Sequence, residues 1–206
     1  MPKGWRKQQS QDPFFRKAKQ EGLRARSAYK LEEINARFHI LKPGAVVLDL
    51  GAAPGSWSQV AARIVGKEGK VVAVDLQPMS AIFGVQIIQG DILGPQTLSE
   101  LDGALPGGAD VVLSDVSPRI SGVKLTDHVR SVELATASLD IARRFLHPGG
   151  SFVVKVFQGE DFPSFVARAR EYFESVKIVR PEASREESNE HYVVGLHLKR
   201  TASPES

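Results

Sequence analysis

The chain has 206 residues, is 42% hydrophobic and 25% charged, contains no cysteine and carries a formal net charge of +3. That balance describes a globular domain of ordinary size, and the lack of cysteine excludes a disulfide framework, a thiolate nucleophile and a zinc–cysteine site. No charge-free stretch reaches the roughly 18 residues of a membrane span, and the basic residues behind Met1 precede no apolar run, so no membrane partner and a cytoplasmic location are expected.

Charge is unevenly spread. Residues 1–30 hold nine Lys or Arg against Asp12 and Glu21 and so carry +7, while the remainder carries −4. A basic front end suits a polyanion. Trp5, Phe14, Phe15 and Tyr29 interleave with these charges, as a base-stacking surface would require. The alternative is an amphipathic helix whose phenylalanines dock on the core.

Asp12-Pro13 and Gly22 bracket a first short helix, and Ser27 is placed to cap a second that carries Lys30, Leu31, Ile34 and Phe38. Lys42-Pro43-Gly44 breaks the chain ahead of the apolar run Ala45–Leu50, a buried parallel strand by pattern. A glycine turn, a helix over Ser56–Val65 and strands at Val71–Val74, Val85–Ile88 and Asp110–Leu113 follow. A long helix is expected from Asp127 to Leu146, stopped by Pro148-Gly149-Gly150. Next come a strand at Ser151–Phe157, a helix through Phe165, Ala169 and Phe173, and strands near Val176–Val179 and Tyr192–Leu198. Strands separated by helices imply an α/β fold of the Rossmann-like kind, a mostly parallel seven-stranded sheet covered on both faces.

Ligands of such sheets collect beyond the carboxyl ends of the strands. The first such end reads Leu48-Asp49-Leu50-Gly51-Ala52-Ala53-Pro54-Gly55-Ser56-Trp57, where Gly51 and Gly55 allow tight turning and close approach. Asp75 ends the second strand, placed for ribose hydroxyls. Asp91 follows the third, placed for an adenine amino group. A glycine turn with one acid is shared with nicotinamide enzymes, and the second acid tilts the reading towards S-adenosylmethionine. Taken singly, each aspartate can be a helix cap or turn residue, and for Asp91 alone that reading is favoured. Trp57 is read either as lining the same pocket or as packing its helix.

Five blocks then occur in order: Arg26–Leu31, Asp49–Gln59, Ser114–Pro118, Val153–Gly159 and Asn189–Tyr192. With them the chain, from about Asp12 to Leu198, strongly resembles the FtsJ/RrmJ family of ribose 2′-O-methyltransferases. Ser56 stands where the family has glycine. The resemblance implies a catalytic tetrad of Lys30, Asp115, Lys155 and Glu190. It also implies a cofactor site at Gly51, Gly55, Trp57, Asp75, Asp91 and Asp115 for S-adenosyl-L-methionine, with S-adenosyl-L-homocysteine as product. Glu186 and Glu187 compete with Glu190, which fits the family's spacing best. The implied substrate is RNA, foremost a uridine of large-subunit ribosomal RNA. Transfer RNA, or a non-catalytic RNA-binding or ribosome-assembly role, are the alternatives. Residues 1–40 are then a basic helical extension that contacts RNA and packs on the core, 41–200 the methyltransferase domain and 201–206 a flexible tail.

The residues make chemical sense without the resemblance. A ribose hydroxyl is a poor nucleophile, so the protein must align it, remove its proton and exclude water. Lys155 interrupts a strand that should be buried on both faces, where an unpaired ammonium is costly. A structural salt bridge would explain it; the preferred reading is a general base, with burial and Lys30 lowering its pKa, and if Asp115 and Glu190 prevail it orients the hydroxyl while an acid or water takes the proton. The five histidines show no metal-ligand spacing, so no metal is expected. Gly55–Gln59 lacks the second glycine of a hydrolase nucleophile elbow.

Overall fold

The computed structural model describes residues 12–118, 120–185 and 188–200. Two helices come first, α1 (Pro13–Gln20) and α2 (Ala28–Phe38). The chain continues as β1 (Val46–Leu50), α3 (Ser56–Val65), β2 (Lys70–Asp75), β3 (Val85–Gln89), α4 (Pro95–Ala104) and β4 (Ala109–Ser114). It ends as α5 (Lys124–Phe145), β5 (Leu146–Phe157), α6 (Phe162–Tyr172), β6 (Phe173–Val179) and β7 (Glu190–Leu198). All seven strands share one sheet in the order β3-β2-β1-β4-β5-β7-β6. The first five are parallel, and β7 runs antiparallel to both of its neighbours.

Alternation along the strands divides the core in two, because successive side chains point to opposite faces. Val47, Val71, Leu113 and Val153 meet α1, α2 and α3 on one face. Leu48, Leu50, Val72, Val74, Val112 and Val154 meet α4, α5 and α6 on the other. Burial of both faces explains why these strands read as near-continuous apolar runs. Helix α1 starts where Asp12 accepts hydrogen bonds from the Phe14 and Phe15 N–H groups at 3.0 and 3.2 Å, with Pro13 in the first turn.

Several local expectations need correction. Ser27 does not cap α2 with its side chain; its backbone is already helical and its hydroxyl meets Ser56 Oγ at 2.8 Å. Helix α4 was not anticipated, since its apolar pattern is weak and Gly103 lies within it. Helix α5 begins at Lys124, ahead of Asp127, whose carboxylate turns back onto Ser121 and Gly122. It ends at Phe145, because Leu146 already pairs with Ala109; the next register pair is Val111 with Ser151, so Pro148-Gly149-Gly150 falls in an irregularity of β5. Phe173 opens β6 rather than closing α6.

Phe14 and Tyr29 do not present a stacking surface either. Tyr29 is buried with its hydroxyl on Glu21, and Phe14 packs against the Tyr29 ring at 5.7 Å, as core docking requires. Lys3, Trp5, Arg6 and Lys7 lie outside the described residues, as does the tail 201–206.

Candidate active site

Strands β1 and β4 are neighbours, yet the chain leaves β1 towards β2 on its other side. This is the topological switch point, where such sheets open a crevice. A cleft of about 380 Å³ opens there, lined among others by Gly51, Ala53, Asp75, Asp91, Ile92 and Asp115. That is the lower end of the range for small-molecule sites. Gly51 is required by geometry: its φ is +67°, and a Cβ would lie 2.3 Å from Val116 Cγ2. The Asp75 carboxylate accepts from Ala53 N at 2.9 Å and Gln77 N at 2.7 Å, which fixes the loops after β1 and β2 while leaving lone pairs for a ligand. Asp91 accepts from Leu93 N at 3.0 Å through one oxygen, and its other oxygen has no partner among the described residues. Leu76, 62% exposed, supplies an apolar wall.

Two residues expected at this cleft, Gly55 and Trp57, are not among those that line it. Gly55, at φ +100°, faces Ile82 and Arg24. Trp57 is buried, donates from Nε1 to the Ser27 carbonyl at 2.8 Å and packs on Tyr192 at 5.6 Å. Arg24, which the sequence did not single out, acts here as a clamp. Its guanidinium donates to the carbonyls of Pro54 (3.0 Å), Ser80 (2.9 Å) and Ala81 (2.7 Å), joining the loops after β1 and β2.

Strand register assembles the four tetrad candidates. Ser114 pairs with Val154 in parallel register, so Asp115 falls beside Lys155. Lys155 pairs with Tyr192 and Phe157 with Glu190 in antiparallel register, and Glu190 shares a face with Tyr192 two residues on. That face is the one covered by α2, from which Lys30 descends. Lys155 Nζ lies 3.1 Å from Asp115 Oδ1 and donates to the Asp115 carbonyl at 2.8 Å. Lys30 Nζ forms an ion pair with Glu190. Both lysines and Glu190 are buried. Tyr192 joins the pairs: its hydroxyl donates to Asp115 Oδ1 at 2.7 Å, and Lys30 Nζ sits 5.6 Å from its ring centre. Its sequence signal was the alternation Glu190-His191-Tyr192, which puts residues 190 and 192 on one face. Glu186 and Glu187 lie outside the described residues.

The electrostatics follow from burial and pairing. Burial pushes the Glu190 carboxyl up, but Lys30 and then Lys155 more than offset it and hold the group below the usual carboxylate range. Burial, followed by the charges of Asp115 and Glu190, drives the Tyr192 hydroxyl well above its ordinary value, so it serves as a donor. Asp49 is fully buried and accepts from Ser58 Oγ at 2.5 Å, while its Oδ1 has no partner among the described residues. Burial, followed by the nearby Asp115, pushes Asp49 up to about 7.

A second cleft, of about 430 Å³, opens on the far side of the tetrad and is lined by Arg26, Lys30, Ser117, Arg185 and Glu190 among others. The two clefts share Ser117. One is acidic and nucleoside-sized, the other basic, and the lysine–acid pairs stand between them. Among the described residues no group of three or more His, Cys, Asp or Glu is arranged to hold a metal ion, and no helix is long and apolar enough to cross a membrane.

A seven-stranded Rossmann-like sheet with its final strand antiparallel, and a glycine-and-acid crevice at the switch point, defines the methyltransferase class of α/β proteins. Residues 23–198 match the FtsJ-like methyltransferase family, and the chain belongs to it. It is 52% identical over 187 residues to ribosomal RNA large subunit methyltransferase E of Methanothrix thermoacetophila, covering 91% of this chain and 72% of that protein. It is 49% identical over 198 residues to the protein of the same name from an Azoarcus species, covering 96% and 97%. A crystal structure of a Plasmodium falciparum protein, provisionally described as a ribosomal RNA methyltransferase, superposes with a TM-score of 0.77 at 28% identity, covering 85% of this chain and 98% of that one.

Proposed function

We propose that the protein moves the methyl group of S-adenosylmethionine to a ribose 2′-oxygen of large-subunit ribosomal RNA, in the family's pattern at a uridine, releasing S-adenosylhomocysteine and a proton. One observation carries this reading: the buried Lys155–Asp115 and Lys30–Glu190 pairs lie between an acidic nucleoside-sized cleft and a basic one. When bound, S-adenosylmethionine supplies a sulfonium-activated methyl group.

The first cleft fits such a group. Gly51 permits the tight turn against Val116 that shapes the cleft, Asp75 and Asp91 offer carboxylate oxygens to ribose hydroxyls and an adenine amino group, and Leu76 and Ile92 offer apolar contact. Asp115 borders both this cleft and the tetrad, with Gly55 and Trp57 supporting the loop. Two of the valences on Lys155 Nζ are directed at the Asp115 carbonyl and carboxylate, which leaves one proton or lone pair for the ribose hydroxyl. Lys30 and Glu190 flank it, and Tyr192 fixes Asp115 through its hydroxyl. Arg185, exposed in the basic cleft, suits a phosphate next to the acceptor, while Arg26 is held by Asp12 and the Ala183 carbonyl. Residues 1–40 act as the basic arm that retains RNA and 41–200 as the catalytic domain, working in the cytoplasm.

The test is methyl transfer from labelled S-adenosylmethionine to large ribosomal subunits, free ribosomal RNA and transfer RNA, with wild type, Lys155→Ala and Lys155→Arg. Wild type is expected to place label on a ribose 2′-oxygen of the subunit or its RNA, and Lys155→Ala to lose about 10²–10⁴-fold, the usual worth of a proton-transfer group. Arginine keeps a charge and donors but cannot accept the proton. Loss with Lys155→Arg equal to that with Lys155→Ala marks Lys155 as the base; retained turnover marks it as the orienting cation. Absence of label on every RNA, with cofactor bound, would replace the reading by a non-catalytic one.

A further inference from the structure

Three buried polar side chains near the start of α5 take no part in the chemistry above. Asp127, His128 and Ser131 are 7%, 4% and 2% exposed. Burying such groups is costly unless they are hydrogen-bonded, and here the bonds go to two loops. Asp127 accepts from Ser121 N (2.8 Å), Ser121 Oγ (2.7 Å) and Gly122 N (3.2 Å). Ser131 Oγ accepts from Phe157 N at 2.9 Å. His128 donates from Nδ1 to the Phe157 carbonyl at 3.1 Å and accepts at Nε2 from Asp161 N at 3.1 Å. Gly159 lies so close that a Cβ would stand 2.5 Å from the His128 ring.

The segments fixed in this way, with the first turn of α5 and Asn189, line a cleft of about 500 Å³ that also presents Lys124 and Glu160. One wall is apolar: Ile120 and Leu125, 64% and 65% exposed, with Phe157. The other carries Gln158 and Asn189, whose backbones are tied by a 2.9 Å bond from Gln158 N to the Asn189 carbonyl. Among the described residues neither side-chain amide makes a hydrogen bond. Buried groups that hold opposing walls, with unused donors and acceptors between, characterise a pre-organised binding site.

Its occupant follows from position. The cleft shares Ile120, Phe157 and Ser188 with the basic cleft floored by Lys30 and Glu190. A ribose whose 2′-oxygen meets the tetrad carries its base on the adjoining carbon. We infer that this cleft receives the base of the methylated nucleotide, unstacked from its neighbours. The apolar wall takes the flat face of the base, and the two amides take an edge that presents a donor beside an acceptor. This inference rests on the RNA methylation proposed above.

Gln158→Ala, Asn189→Ala and Leu125→Asp test it, all at exposed positions. Each is expected to lower kcat/KM for large ribosomal subunits about tenfold, as loss of one hydrogen bond or apolar contact would, with S-adenosylhomocysteine affinity and melting temperature unchanged. In parallel, large-subunit ribosomal RNA transcribed with 4-thiouridine is irradiated with the wild-type protein and S-adenosylhomocysteine. Cross-links from the methylated position to residues 120–125 or 157–160 are expected. All three variants within twofold of wild type, or cross-links to this segment only from other nucleotides, would overturn the assignment. A wild-type protein that labels no RNA would instead remove the methylation reading itself.

Discussion

A carboxyl buried without a counter-ion lowers its cost by hydrogen bonding or by keeping its proton. Asp49 accepts from Ser58, which lowers it, but burial, with a smaller contribution from Asp115, pushes it up to about 7. A carboxyl raised in the folded state above its unfolded value near 3.8 contributes stability that is fully present below that value and lost as pH rises through about 7. Asp49→Asn removes this titration. Urea unfolding at pH 5 and pH 8 should therefore show the stability difference moving in the variant's favour at pH 8, by on the order of a few kcal/mol. A difference that stays constant with pH would show Asp49 ionising like an ordinary carboxylate. Lys155 was legible in the sequence because a lysine inside an apolar strand is an anomaly, and Asp115 as an acid at a strand end, whereas Lys30, on a helix, and Glu190, one of three neighbouring acids, were marked only by the family resemblance. Asp49 and Arg24 were not, and the alternation that puts Tyr192 on the face of Glu190 does not announce its bond to Asp115 across 77 positions.

Among the elements, the strands were the most readable, because a two-sided core demands continuous apolar runs. Their ends were less so. Leu146 left the expected helix for β5 through pairing with Ala109, a partner 37 positions away that no local pattern announces. Helix α4 was hidden by weak periodicity and by Gly103, which costs a helix backbone entropy. Nothing lies within 4 Å of a Cβ built on Gly103, and its φ is not positive. Gly103→Ala is expected to stabilise the protein by about 0.5 kcal/mol, read as a higher urea midpoint at unchanged slope. Gly51→Ala, at φ +67° and against Val116, is expected to do the opposite.

At the scale of the molecule, the sheet brings a nucleoside-sized cleft and a basic cleft to opposite sides of one group of ion pairs. Arg24 gives that arrangement a consequence. It lies six residues ahead of Lys30 on the segment that borders the basic cleft, yet its guanidinium holds the Pro54, Ser80 and Ala81 carbonyls beside the other cleft. A clamp placed in this way is expected to couple the two clefts, and by linkage the factor is then the same in both directions. An RNA fragment carrying the methylation site should tighten S-adenosylhomocysteine about fivefold or more in wild type. In Arg24→Ala the two should titrate independently, as calorimetry would show. With that coupling, departure of methylated RNA would weaken the hold on the spent cofactor, so that the two products leave in close succession.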